Sequence, residues 1–387
     1  MTKGNFPMEK FGRLQTPFYF YDIELLRKTI QAIVSEAIPY DYQIHYAVKA
    51  NANPQILSII REYGVGADCV SGGEIQAALN AGFPAGKIVF AGVGKADWEI
   101  NLGLENDIFC FNVESLPELE VINELAARQG KTARVALRIN PDVKANTHRH
   151  ITTGMKENKF GIHREHLITV LDRLPSLPCV ELIGIHFHIG SSITGLESFR
   201  QLCIRANEIQ QTLAKQGVRF SHINFGGGFR IDYNDPDGHS VPDFKSYFEV
   251  FRTHFQACPG QQIHFEPGRS IVGQCGSLIS KVLYIKEGLE KKIVILDAGF
   301  TELIRPALYN AYHKIENLTS CEPEEVYDVV GPICESSDCF GKQVSLNRTH
   351  RGDLFAIRSA GAYGEIMASQ YNCRQLPAAY FSETIDS

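Results

Sequence analysis

From about residue 40 to 270 the chain repeats one pattern: a short apolar run, a Gly or polar turn, then a stretch whose apolar residues recur at helical spacing. The runs are QIHYAVK (43–49), GVGADCV (64–70), KIVFAG (87–92), DIFCFNV (107–113), ARVALRIN (133–140), LIGIHFHIG (182–190), HINFGGG (222–228) and QIHFEPG (262–268). They predict eight strands. Helical faces follow several of them: Ile56, Leu57, Ile59 and Ile60 behind Pro54; Leu116, Leu119, Ile122 and Leu125; Phe199, Leu202, Ala206, Ile209 and Leu213; and Phe244, Phe248, Phe251 and Phe255. Eight strand–helix units in roughly 230 residues have the size of a TIM barrel. A doubly wound open sheet is the α/β alternative that the pattern alone leaves open.

Past residue 275 the period changes. GSLISKVLYIKEG, KKIVILDAG, EEVYDVVGPIC and GDLFAIRSAG are strand-like runs closed by Gly, Asp or Cys with little helix between them, which predicts a β domain. The N-terminal LQTPFYFYD is also strand-like and is expected to join it. The expected organisation is an α/β barrel over 26–275 and a discontinuous β domain made of 1–25 and 276–387.

Composition narrows the function classes. The 387 residues are 44% hydrophobic and 21% charged, with a formal net charge of −6 and no run of like charges, so nucleic acid and an anionic membrane surface are not expected as partners. No 18-residue apolar stretch predicts a membrane span, and the N-terminus lacks the apolar core of a secretory signal. The ten cysteines form no CxxC pair, so neither a zinc knuckle nor a disulfide scaffold is indicated, no metal is expected, and a reducing cytosol is the natural setting.

In a TIM barrel the chemistry sits at the C-terminal ends of the strands. Those ends carry Lys49, Asp68, Arg138, His188, Gly226, Gly227, Gly228, Glu266 and Arg269. A lysine closing an apolar strand is either an exposed strand end or a partly desolvated amine freed for nucleophilic work. FGGGF (225–229) is either a tight turn or, with EPGR (266–269) on the adjacent strand, a backbone cradle for a phosphate. A carboxylate at Glu266 would be repelled by that phosphate unless a cationic ring lay between them. Pyridoxal phosphate meets this condition: its aldehyde takes a lysine amine, its phosphate docks on Gly loops, and its ring nitrogen needs an acidic partner. His188 is then either a ring stacking on the cofactor or a satisfied core histidine.

At these residues the sequence resembles the fold-type III pyridoxal-phosphate decarboxylases, and among them most closely those that act on diaminopimelate. YAVKAN (46–51), ADCVSGGE (67–74), RINPDV (138–143), TGMKENKFGI (153–162), HFHIGSS (186–192), NFGGGF (224–229), EPGRSIV (266–272), RPALY (305–309), GPICESSD (331–338) and GAYGEIMASQYNCRQLP (361–377) follow in family order over essentially the whole chain. The resemblance implies a barrel plus a Greek-key-like β domain completed by the N-terminal strand, and a homodimer with shared active sites. It implies that Lys49 holds the cofactor, Glu266 pairs with the pyridine nitrogen and His188 stacks on the ring. Ser191, Gly226–Gly228, the Gly268–Arg269 backbone and Tyr363 would hold the phosphate, with Asp68, Glu74 and Arg138 supporting the lysine and its neighbours. Cys334 and Glu335 would reach the partner subunit's site, with Cys334 as the proton donor to the α-carbon and Lys49 as the second candidate. In one departure, Ser337 stands where the family usually has Gly.

Relatives on this fold decarboxylate ornithine, arginine or lysine, whose distal ends need only an acid. Meso-2,6-diaminopimelate carries a second amino-carboxylate, for which Arg269 and Arg305 offer planar two-pronged donors. Tyr309, one turn after Arg305, and Tyr363 would add hydroxyl contacts, and Glu335 would take the distal amine. The expected reaction is decarboxylation of meso-diaminopimelate to L-lysine. The alternatives are a D- or L-basic amino acid on the same fold, a racemase, and a regulatory homologue without activity; the intact Lys49, CES and RPALY stretches speak against the last two.

Overall fold

The computed structural model describes residues 4, 6–143 and 159–385, so the 153–158 part of the TGMKENKFGI stretch lies outside the described residues. The chain forms two compact units, one of Met1–Thr29, Ile231–Pro242 and Arg269–Ser387, the other of Ile30–Arg230 and Asp243–Gly268.

The second unit is a closed parallel barrel. Its strands are Gln43–Ala47, Gly66–Cys69, Ile88–Phe90, Cys110–Val113, Ala133–Asn140, Val180–His186, His222–Asn224 and Gln262–Phe265. Each pairs in parallel with the next, and the last returns to the first through His264↔Gln43 and Phe265↔Ile44, which closes the ring and excludes an open sheet. A short outlying strand, Ile162–His163, adds to Ala133–Asn140.

The helices form where caps and apolar spacing agree. Asn53 accepts the Gln55 N–H at 3.1 Å and Pro54 occupies the first turn, so the helix Pro54–Arg61 starts there and buries Ile56, Leu57, Ile59 and Ile60. Ser115 caps Leu116–Arg128, which buries Leu119, Ile122 and Leu125, and Asp243 caps Phe244–His254, which buries Phe244, Tyr247, Phe248 and Phe251. Each such side chain contributes about 1.5–3 kcal/mol by leaving water. The strands end earlier than the apolar runs suggest: QIHYAVK leaves the ladder after Ala47 and turns as a single 3-10 turn, Val48–Ala50. HINFGGG leaves it after Asn224, because the Asn224 carboxamide takes the Gly226 N–H at 2.8 Å and Gly226 stands at φ +68°. The candidate groups therefore sit on turns just beyond the strands.

The first unit holds an eight-stranded mixed sheet. Phe18–Tyr21 pairs antiparallel with Gly276–Glu287 and parallel with Ala378–Phe381, so the N-terminal strand does complete the β unit. The strands Lys292–Leu296, Glu324–Val330 and Leu354–Ile357 match the apolar runs read from sequence, while Ile315–Asn317, Cys339–Asn347 and Ala378–Phe381 are additional. Among the described residues no helix is long and apolar enough to cross a membrane.

Three histidines fill the barrel interior near the strand starts. His45 Nε2 lies 2.8 Å from His264 Nδ1, and the His222 and His264 ring centroids are 4.0 Å apart. Burial lowers His222 to about 3 and puts His45 and His264 below the ordinary histidine value. The unfolded chain takes up protons as pH falls through about 6.5 that these folded rings refuse, so their stability contribution is present above that pH and lost below it. Buried Asp68 and half-buried Glu74 titrate in the opposite sense, so a variant isolates the effect. Between pH 7.5 and 5.5 the unfolding free energy of the wild type should fall by about 1.4 kcal/mol more than that of His222→Leu. Equal falls in a denaturant titration would exclude His222 from the acid sensitivity.

Candidate functional site

In the barrel unit, Lys49 follows the first strand and donates from Nζ to Asp68 Oδ2 at 2.6 Å. Asp68 is wholly buried in the strand Gly66–Cys69, and its Oδ1 has no hydrogen-bond partner among the described residues. Burial and the nearby Glu266 charge raise the Asp68 pKa to about 6, against the pull of Lys49. Glu74, in the first turn of the helix Gly72–Asn80, accepts the Val70 N–H at 2.8 Å. Burial raises its pKa to about 7, again against Lys49.

Glu266 lies one residue past the strand Gln262–Phe265 and receives three side-chain donors. His186 Nε2 meets Oε2 at 3.0 Å, and Asn112 and Asn224 amides reach Oε1 at 3.2 and 2.7 Å. A carboxylate only accepts, so His186 carries its proton on Nε2. Burial favours the neutral acid, but His186, its hydrogen bond and the charge of Lys49 outweigh it, and the Glu266 pKa lies below the usual carboxylate range. Asn224 also takes the Gly226 N–H, so one carboxamide ties the carboxylate to the glycine turn.

That turn admits only glycine. A Cβ at Gly227 would lie 2.1 Å from the Glu266 carbonyl oxygen, and one at Gly226 2.4 Å from the Phe187 carbonyl oxygen. Ile193 donates to the Gly228 carbonyl at 2.9 Å, lacing the loop that carries His188 and Ser191 to the turn. The Gly227 N–H faces His188 Nδ1 at 3.4 Å. Burial first, then the charges of Arg138 and Lys49, hold the His188 pKa low, so the ring is neutral and aromatic. A lysine amine, a carboxylate kept ionised beside it, a neutral ring and an obligatory glycine cradle fit a cofactor with an aldehyde, a basic ring nitrogen and a phosphate.

Arg138 lies in the strand Ala133–Asn140. It pairs with buried Glu114, whose other oxygen accepts the Gly161 N–H at 2.7 Å, and its guanidinium lies 4.7 Å from the Phe160 ring centroid. Its charge bears on His188.

In the β unit, Arg269 and Arg305 are buried. Arg269 Nη1 donates to the Tyr233 hydroxyl at 2.7 Å, and its guanidinium lies 4.7 Å from the Tyr363 ring centroid. Arg305 opens the short helix Arg305–Tyr309 and donates to the same hydroxyl at 2.9 Å. Tyr309 closes that helix. Cys334 and Glu335 are exposed: the Cys334 N–H donates to Asn372 Oδ1 at 3.2 Å, and Glu335 accepts from Tyr371 at 2.8 Å. Ser337 does not stand at positive φ, so its loop does not require the family's glycine.

Sequence reasoning passed over His186, Asn112, Asn224 and Tyr233. The first three stand at or near strand ends and were within reach of the rule that chemistry collects there.

A family model described as "Pyridoxal-dependent decarboxylase, pyridoxal binding domain" matches residues 24–273. The diaminopimelate decarboxylase of Bacteroides thetaiotaomicron is 64% identical over 384 residues, covering 99% of this chain and 100% of that protein. That of Neisseria meningitidis serogroup A is 41% identical over 374 residues, covering 96% and 89%. The crystal structure of diaminopimelate decarboxylase from Helicobacter pylori complexed with L-lysine superposes with a TM-score of 0.90 at 39% identity, covering 96% of this chain and 93% of that one.

Proposed function

The chain belongs to the pyridoxal-dependent decarboxylases, and from that membership we propose that it removes one carboxylate of meso-2,6-diaminopimelate as carbon dioxide to leave L-lysine, the last step of lysine biosynthesis by the diaminopimelate pathway. When bound, pyridoxal phosphate supplies the aldehyde that takes an amine and the ring that accepts the electrons left by the departing carboxylate. Lys49 would carry it, Glu266 face its ring nitrogen and His188 its ring. Ser191, Gly226–Gly228, the Gly268–Arg269 backbone and Tyr363 would hold the phosphate.

The chain's own groups divide the work. Asp68 holds the Lys49 amine in place and shares its proton. Glu266, fixed as an anion by His186, Asn112 and Asn224, keeps a proton on the nitrogen it faces. Arg269 and Arg305 take the distal carboxylate, Tyr309 adds a hydroxyl, and Glu335 of the partner subunit takes the distal ammonium. Cys334 of the partner subunit delivers the proton to the α-carbon.

The observation that carries the choice of substrate is the pair of buried guanidiniums on one phenol oxygen. A substrate ending in an ammonium would set a positive charge against that pair and leave its donors unanswered. Homodimerisation is supported by the exposure of Cys334 and Glu335 and by exposed Leu308, Tyr312, Tyr371 and Leu376 in the β unit. Ten free cysteines suit a reducing cytosol.

Meso-diaminopimelate should yield one lysine per carbon dioxide with the purified protein and added cofactor; cadaverine or putrescine formed from lysine or ornithine at a similar rate would contradict the assignment. Cys334→Ala should lower kcat by on the order of 10²-fold while cofactor content stays unchanged. A wild-type rate in that variant removes Cys334 from proton delivery.

A further inference from the structure

The cluster of Arg269, Arg305, Tyr233, His313 and Tyr363 in the β unit has a phenol at its centre instead of an acid. The Tyr233 oxygen accepts from both guanidiniums, at 2.7 and 2.9 Å, which uses the two acceptor positions of a hydroxyl. Arg269 and Arg305 are only 6% and 5% exposed, so their mutual repulsion is poorly screened. Arg305 Nη1 also meets His313 Nε2 at 3.0 Å, and His313 Nδ1 donates to the Arg358 carbonyl at 2.9 Å, so the ring is a neutral acceptor behind Arg305. Arg305 Nε is buried and has no hydrogen-bond partner among the described residues, which leaves a donor for an incoming anion. Burial works against ionisation of the Tyr233 phenol, yet Arg269 and Arg305 bring its pKa below the ordinary tyrosine value.

We propose that Tyr233 is a positioning residue for substrate selection: its hydroxyl fixes the spacing of the Arg269 and Arg305 guanidiniums so that both meet the distal carboxylate at once, given that these cations take that carboxylate as proposed above. Without the shared acceptor the two charges separate and each long side chain regains rotamers. The Tyr233 ring lies 5.5 Å from the Arg305 guanidinium and edge-on to His313 at 5.2 Å, so Tyr233→Phe keeps the packing and removes only the acceptor.

The test is kcat and KM for meso-diaminopimelate in the wild type, Tyr233→Phe and Arg305→Met, with cofactor content and melting temperature as controls. Tyr233→Phe should raise KM by about 10-fold or more, the scale of a hydrogen bond to a charged group, with a smaller change in kcat. If Arg305→Met raises KM and Tyr233→Phe does not, the positioning role is overturned while the substrate assignment stands. If neither raises KM, the distal-carboxylate assignment falls and takes this role with it. A Tyr233→Phe effect confined to kcat would also overturn the role. Should the Phe variant not fold, Tyr233→His, whose ring nitrogen offers one acceptance, decides by the same comparison: a KM raised a few fold supports the role, and an unchanged KM overturns it.

Discussion

Lys49→Ala is expected to lower kcat/KM by on the order of 10³-fold or more and to end covalent retention of the cofactor. The amine stands on a rigid turn between the strand Gln43–Ala47 and the capped helix Pro54–Arg61, and its partner Asp68 is wholly buried. Borohydride treatment followed by mass spectrometry checks the claim without an activity assay: the wild type should gain the mass of the reduced cofactor on Lys49, and the variant should not. A mass gain of the same size on another lysine would overturn the role. The variant also leaves the buried Asp68 carboxylate without the ammonium that lowers its pKa, so it should gain stability relative to the wild type as pH falls from 8 to 6.

Glu266→Gln should cost on the order of 10³-fold in kcat with cofactor content preserved. The site tolerates the shape of the amide. Asn112 and Asn224 can still donate to the carbonyl oxygen, and His186 can move its proton to Nδ1, which has no partner among the described residues, and accept the new N–H at Nε2. What the amide lacks is the negative charge, so the ring nitrogen it faces would lose its proton. Steady-state kinetics beside cofactor absorbance separates the two effects; a loss under 10-fold would show that the charge at Glu266 is not needed.

Much of this was legible in the sequence because parallel strands and capped helices leave strong local patterns. All eight barrel strands and the buried faces at Ile56–Ile60, Leu119–Leu125 and Phe244–Phe251 were visible. The β unit was read less completely for a physical reason: Ile315–Asn317 is too short to show a period, and Cys339–Asn347 buries only Phe340 and Leu346 and carries Lys342 and Gln343 in its middle. The excursion Ile231–Pro242, which belongs with the β unit, has no periodicity to announce it. Tyr233 lies within it, and its role depends on two arginines that are 36 and 72 residues further along the chain. Glu266, Lys49 and the glycine turn could be found from strand ends. That His186 bonds Glu266 could not, because only the fold decides which histidine on an apolar run meets the carboxylate.

The measurement that bears most directly on the whole account is kcat/KM for meso-diaminopimelate against L-lysine, L-ornithine, L-arginine and their D-forms, one at a time, on the purified protein loaded with pyridoxal phosphate. The paired guanidiniums predict a preference for diaminopimelate of roughly 10³-fold or more, with L-lysine as the sole amine product. Turnover of any basic amino acid within about 10-fold of diaminopimelate would contradict the placement of Arg269 and Arg305 on a distal carboxylate.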